Sequence, residues 1–145
     1  MYRSGCLERI ARYLALHALA GNPAAIDALH LVLVDNVSPG RAAAVLGIGK
    51  GSVKGYLQRA REACGSTASA ARAVALLAAA ARGIPSVFVR RGARWLCTAC
   101  GSEVEDSLAL RVRHLVAKHG DMVSEAASSI LRMVVAVGSG GGARR

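Results

Sequence analysis

The chain has 145 residues, 53% of them hydrophobic, and a formal charge of +10, enough material for one compact domain or two small ones. Aromatic residues make up only 3%, so any core is built from Ala, Leu, Val and Ile, which favours helices packed closely through small side chains. So large a positive charge points towards a polyanion, nucleic acid ahead of an anionic membrane. Its placement adds information: between Asn36 and Ser102, Arg41, Lys50, Lys54, Arg59, Arg61, Arg72, Arg82, Arg90, Arg91 and Arg94 stand against Glu62 alone, while both ends are nearly balanced.

Ser4 caps a first helix running to about Ala20, with Leu7, Ile10, Ala11, Leu14 and either His17 or Ala18 along one face. Gly21-Asn22-Pro23 ends it, and a second helix spans about Ala24 to Val34. Asn22-Pro23, Asp27 and His30 interrupt the apolar stretch from Leu14 to Val34, so it reads as two soluble helices rather than a membrane span. With no signal peptide evident, the cytoplasm is the expected location. Ser38 caps a helix with Pro39 at its first position, running to Leu46. Gly47-Ile48-Gly49-Lys50 separates it from a helix over Gly51 to Ala63. An Ala-rich helix covers Thr67 to Ala81, closed by Gly83 and Pro85. Two strands follow, Ser86 to Arg91 and Arg94 to Leu96, around a Gly92-Ala93 turn. A helix from about Asp106 to His119 ends at Gly120, an amphipathic last helix spans about Val123 to Val137, and Gly138 to Arg145 reads as a flexible tail.

Cys97, Cys100, His114 and His119 fall at C-x2-C-x13-H-x4-H. Two thiolates on a tight knuckle and two imidazoles on a helix supply the four ligands that tetrahedral zinc takes. Trp95, Val104 and Leu110 stand where so small a unit needs apolar residues to pack a hairpin on its helix. A redox role for the C-x-x-C would want a βαβ setting, and none is visible. From Trp95 to His119 the chain resembles the zinc finger with two cysteines and two histidines. It departs in having Val104 where an aromatic is usual, and one extra residue between the cysteines and the histidines. The remaining cysteines, Cys6 and Cys64, read most simply as buried small residues; a disulfide between them requires the fold to bring them together.

Ser38 to Arg61 reads SPGRAAAVLGIGKGSVKGYLQRAR. Ala43 is a small residue inside a first helix, Gly47 falls four later at a turn, and Ile48, Val53, Tyr56 and Leu57 supply an apolar lock for a second helix. This stretch resembles the helix-turn-helix of sigma-factor region 4 and related bacterial and archaeal regulators. The resemblance implies that Gly51 to Ala63 is a recognition helix whose outward positions are Lys50, Ser52, Lys54, Gly55, Gln58 and Arg59. Those are types that reach phosphates or base edges. Arg41 joins Lys50, Lys54 and Arg59 as a phosphate clamp.

In the finger, the usual reading surface is occupied by Ser107, Ala109, Leu110 and Arg113, of which only Arg113 suits a base. Glu103, Glu105 and Asp106 repel phosphates, so the finger reads better as a structural support, with Arg90, Arg91 and Arg94 free to touch a backbone as a wing does. His17 and His30 each read as a helix-surface or partly buried residue rather than a ligand. No catalytic constellation and no phosphate-cradling Gly-x4-Gly-Lys loop is present, which argues against an enzyme.

The expectation is therefore a mainly α protein. It has a helical domain over 1–83 containing a helix-turn-helix at 38–63, a hairpin and ββα finger over 84–120, a last helix over 121–137, and a tail. The expected function is binding of double-stranded DNA by a nucleoid-associated transcription regulator of archaeal or viral type, with one structural Zn2+. The last helix offers a homodimer or protein contact. A protein-interaction adaptor and an RNA-binding protein are the rivals, the latter disfavoured by the lack of stacking aromatics.

Overall fold

A computed structural model describes the backbone of residues 5–143 and the side chains of residues 5–135. Ser4, expected to cap the first helix, and Arg144 and Arg145 of the expected tail lie outside them. The described chain is mainly helical, with one small antiparallel sheet.

Helix α1 (Gly5–Leu19) buries Ile10, Ala11, Leu14, Ala15, Ala18 and Leu19, the repeat that turns one stripe of an α-helix inward. It ends at Gly21, whose φ of 77° lies in the left-handed region; a Cβ there would come within 2.9 Å of Ser86 Oγ. Helix α2 (Pro23–Leu29) runs straight into a π-helical turn, His30–Val34, so the single helix expected over this stretch widens at its end. Asn36, at φ 59°, then reverses the chain.

Helix α3 (Pro39–Leu46) starts as its sequence dictates: Ser38 Oγ accepts from the Arg41 amide at 3.2 Å, with Pro39 in the first turn. Left-handed Gly47 (φ 68°) stops it, and the Ile48 amide donates to the Ala43 carbonyl at 3.0 Å. Helix α4 (Lys50–Cys64) follows, and left-handed Gly65 ends it. Helix α5 (Thr67–Arg82), capped by Ser66, buries Ala70, Ala73, Val74, Leu77, Ala78 and Ala81. The alanines let backbones approach, and α1 becomes a hub that packs on α4, α5 and α7.

One expectation fails here. Cys6 in the first turn of α1 and Cys64 at the last position of α4 are joined in a disulfide, with Cα atoms 4.5 Å apart. They are not two separate buried thiols. The packing of α1 on α4 brings together two helix ends that are 58 residues apart in sequence.

The sheet has the order β1-β2-β3, from β1 (Phe88–Arg91), β2 (Arg94–Cys97) and β3 (Glu103–Glu105). Phe88 pairs with Cys97 and Trp95 with Val104. Helix α6 (Leu108–Lys118) begins where Ser107 Oγ accepts from the Leu110 amide. Gly120 does not simply end it, because helix α7 (Gly120–Ala143) starts there, leaving His119 as the whole junction at φ −133°. The backbone of α7 stays helical through the glycine run that reads as a tail.

The sheet and α6 sit on the carboxy-terminal end of α1. The Val87 amide donates to the Leu19 carbonyl at 3.0 Å, and Arg111 Nε donates to the Ala20 carbonyl at 2.8 Å. Those carbonyls have no partner within their own helix, and a cation is favoured at this negative end. Phe88, Cys97, Leu115, Val123 and Ile130 belong to the same buried cluster as Leu14, Leu29, Val53 and Leu77, so one core runs through both parts. No single helix among the described residues is long and apolar enough to cross a membrane.

Candidate metal centre and basic helix face

The four candidate metal ligands sit on a knuckle and a helix. Cys97 closes β2, and its amide and carbonyl are tied to the Ser102 carbonyl (2.8 Å) and the Gly101 amide (2.7 Å). Gly101, at φ 80°, makes this turn tight enough to aim both thiols the same way. His114 projects from α6, and His119 at its end is held by a bond from its own amide to the Leu115 carbonyl at 2.8 Å. Cys97 Sγ lies 3.5 Å from His119 Nε2, and Cys100 Sγ lies 3.4 Å from His114 Nε2. The four ligand atoms all fall within 4.8 Å of one another.

A tetrahedral ion with bonds of about 2.3 Å to sulfur and about 2.0–2.1 Å to nitrogen has sulfur–nitrogen edges of about 3.5 Å. The residues present fit such an ion, and this group could hold one. Cys97 is fully buried and Cys100 exposed. Hydrogen bonds from the Ser102 hydroxyl and amide, then from His119 and His114, push the Cys100 thiol down to about 6, favouring the thiolate that a metal needs. Phe88, opposite Cys97 in the sheet, makes a T-shaped contact with His114, their ring centres 5.9 Å apart.

Trp95 and Val104, paired across β2 and β3, pack against the core as expected though only partly buried; Leu110 is partly buried too, and the fully covered apolar residues are Phe88 and Leu115. Trp95 also lies within cation–π reach of two guanidiniums, with Arg111 at 4.2 Å and Arg90 at 5.1 Å from its ring centre. Its indole N–H donates to Asp106 at 2.9 Å, and Asp106 also receives Arg90. These donors hold the Asp106 carboxyl below the usual carboxylate range, Arg90 first and Trp95 second.

The same carboxylates occupy the hairpin arginines. Arg90 pairs with Asp106 at 2.9 Å, Arg91 lies 3.9 Å from Glu103, and Arg94 lies 3.8 Å from Glu105. The cross-strand register of β2 against β3 sets Arg94 opposite Glu105. All three arginines expected to act as a wing thus have acidic neighbours.

Helix α4 divides cleanly. Val53, Leu57 and Ala60 are buried, with Tyr56 and Ile48 partly so, while Lys50, Ser52, Lys54, Gly55, Gln58 and Arg59 are all exposed on the opposite side. Ala43 is buried beneath the pair, and Arg41 is exposed at the start of α3. Gln58 donates to Glu62 one turn on at 3.0 Å. Arg113, the remaining expected contact, is exposed on α6 across a groove from Arg59.

Three residues carry more than their sequence context signals. Arg111 is almost fully buried as the bolt between α6 and α1. His17 is buried as well: its Nδ1 lies 3.1 Å from Asn22 Nδ2, which donates to the Tyr56 hydroxyl at 3.0 Å, and its ring stacks edge-on with Tyr13 and Tyr56. Burial first, and then the charge of Arg59, push the His17 imidazole down to about 4, so it is neutral at ordinary pH. Phe88, buried on β1 opposite Cys97, packs its ring on His114 from outside the Trp95–His119 stretch. No protein-family model matches the chain, and neither a curated protein nor a solved structure gives a match.

Proposed function

We propose that this protein binds double-stranded DNA, presenting the exposed face of α4 to the major groove as the second helix of a helix-turn-helix, and that a structural zinc ion sits between Cys97, Cys100, His114 and His119. The observation that carries the reading is the division of α4. Lys50, Ser52, Lys54, Gly55, Gln58 and Arg59 are all exposed, while Val53, Leu57 and Ala60 lock the helix to the body. A helix that reads bases must be rigid behind and unobstructed in front. Among the described residues, Arg41, Lys50, Lys54 and Arg59 have no carboxylate partner, which leaves their charge available to phosphates. Regulation of transcription is the role that such a module would serve.

The choice of zinc follows from two sulfurs and two nitrogens at tetrahedral spacing with no place left for a reacting ligand. In this reading the ion fixes the knuckle to α6. Arg111, Phe88 and Val87 then fix the whole unit to α1. The paired hairpin arginines suit a support better than a second reading head.

Duplex binding should weaken steeply with salt, and Lys54→Glu should lower affinity by about tenfold or more, with Gln58→Ala reducing discrimination between sequences. Fluorescence anisotropy with a labelled random-sequence pool checks both. Binding by both variants equal to wild type rejects α4 as the reading helix. A protein-docking adaptor is the second reading, favoured by the exposed apolar side chains of Val116 on α6 and Met133 and Val135 on α7.

A further inference from the structure

We propose that the groove between α4 and α6 is a binding site for a small organic anion with an apolar body, and that this ligand and duplex DNA exclude one another. The groove measures about 540 Å³, within the range of metabolite-sized sites. Tyr13, Leu16 and His17 of α1 form its floor, Leu108 and Val112 of α6 one wall, and Ser52, Gly55 and Tyr56 of α4 the other.

Two observations select the ligand chemistry. Arg59 and Arg113 line the groove from α4 and α6 respectively, and neither has a carboxylate partner among the described residues. Each hairpin arginine, by contrast, does have one. Two unneutralised guanidiniums on one groove call for an anion. Beneath them, Leu16, Leu108, Val112 and the rings of Tyr13 and Tyr56 call for an apolar or aromatic body. A sugar-phosphate strand would satisfy the arginines but leave that floor in contact with water. His17 adds no competing charge, since its ring is buried and held between Tyr13, Tyr56 and Asn22.

Binding in the groove stands independently of the DNA reading, whereas mutual exclusion rests on it. Ser52, Gly55 and Arg59 belong both to the groove and to the α4 face proposed for the duplex, so one occupant removes contacts from the other.

The test titrates the full chain with anilinonaphthalene sulfonate, an organic anion with an aromatic body, and follows its fluorescence. One probe should bind per chain. Ala109 is exposed at the groove and near the start of α6, so charged replacements there leave the core untouched. Ala109→Glu, which adds a carboxylate to the groove that both arginines line, should weaken the probe by about tenfold or more, while Ala109→Lys should leave its affinity equal or stronger. Saturating duplex should displace the probe from wild type. Absence of binding, or equal binding by the two Ala109 variants with unchanged circular dichroism, overturns the site. If nucleic acid responds to the Ala109 charge while the probe does not, the occupant is a nucleic-acid strand and the small-anion assignment falls. Lys54→Glu separates the two readings, because Lys54 does not line the groove. It should lose duplex and keep the probe. Probe binding with the expected Ala109 response, in a chain that binds no duplex, retains the groove and rejects the DNA reading with its exclusion.

Discussion

His17 shows how one side chain can make stability depend on pH. Its imidazole is pushed down to about 4 from an ordinary 6.5 by burial and by Arg59, with Tyr13, Tyr56 and Asn22 as its other neighbours. Between those two values the unfolded chain binds a proton there and the folded chain does not. The contribution is therefore complete above about pH 6.5 and is lost as the pH falls towards 4, at a cost of about 3 kcal/mol. Urea midpoints across that range should fall for wild type more steeply than for His17→Gln. Identical slopes would mean that the imidazole stays accessible to solvent in the folded state. The helical repeat puts His17 on or beside the apolar stripe of α1, but the network that holds it, like the burial of Arg111, is not visible in sequence. Asn22 is a local neighbour of His17, but Tyr56, which closes the network, is 34 residues from Asn22, and the partner of Arg111 is a carbonyl 91 residues distant.

At the level of elements, legibility follows how local the determining contacts are. Ser38, Pro39 and Gly47 specify α3 through bonds within a few residues, and the helix spans the expected Pro39–Leu46. The ligand cluster was equally legible, because a knuckle and a helix place their donors by short-range geometry. The packing around it was legible only in part. Phe88 lies nine positions before Cys97, on the first strand of the hairpin, and the Trp95–His119 spacing does not reach that far. The start of α7 at Gly120 was equally hidden, since a glycine after a helix reads as a stop. Because the unit that carries Cys97, Cys100, His114 and His119 shares its core with α1 and α7, metal removal should do more than loosen a small appendage. Chelation, or Cys97→Ser, should lower Tm by about 10 °C or more while much of the helical signal from α1 to α5 survives. Trp95, the one tryptophan, is the reporter, because it lies within cation–π reach of Arg90 and Arg111. Its emission should shift to that of an exposed indole, and one zinc per chain should restore it. A metal-free chain with native Trp95 emission would refute the structural ion.

Across the whole molecule, the Cys6–Cys64 bond closes a loop that holds α1, α2, α3 and α4 together. A cross-link spanning 58 residues restricts the unfolded chain by about 4 kcal/mol in the chain-entropy description. The double variant Cys6→Ser, Cys64→Ser should therefore unfold at markedly lower denaturant, and reductant should lower the midpoint of wild type without moving that of the variant. Equal midpoints for the two proteins under oxidising conditions would show that the bond does not form. The neutralised hairpin has its own consequence at this scale. With Arg90, Arg91 and Arg94 matched by Asp106, Glu103 and Glu105, the surplus charge is left largely to Arg41, Lys50, Lys54, Arg59, Arg61 and Arg72 on α3, α4 and α5. The molecule is thus electrically lopsided. A polyanion such as the proposed duplex, approaching through dilute salt, would exert a torque on it and turn the pair into alignment before contact, with the α4 side leading.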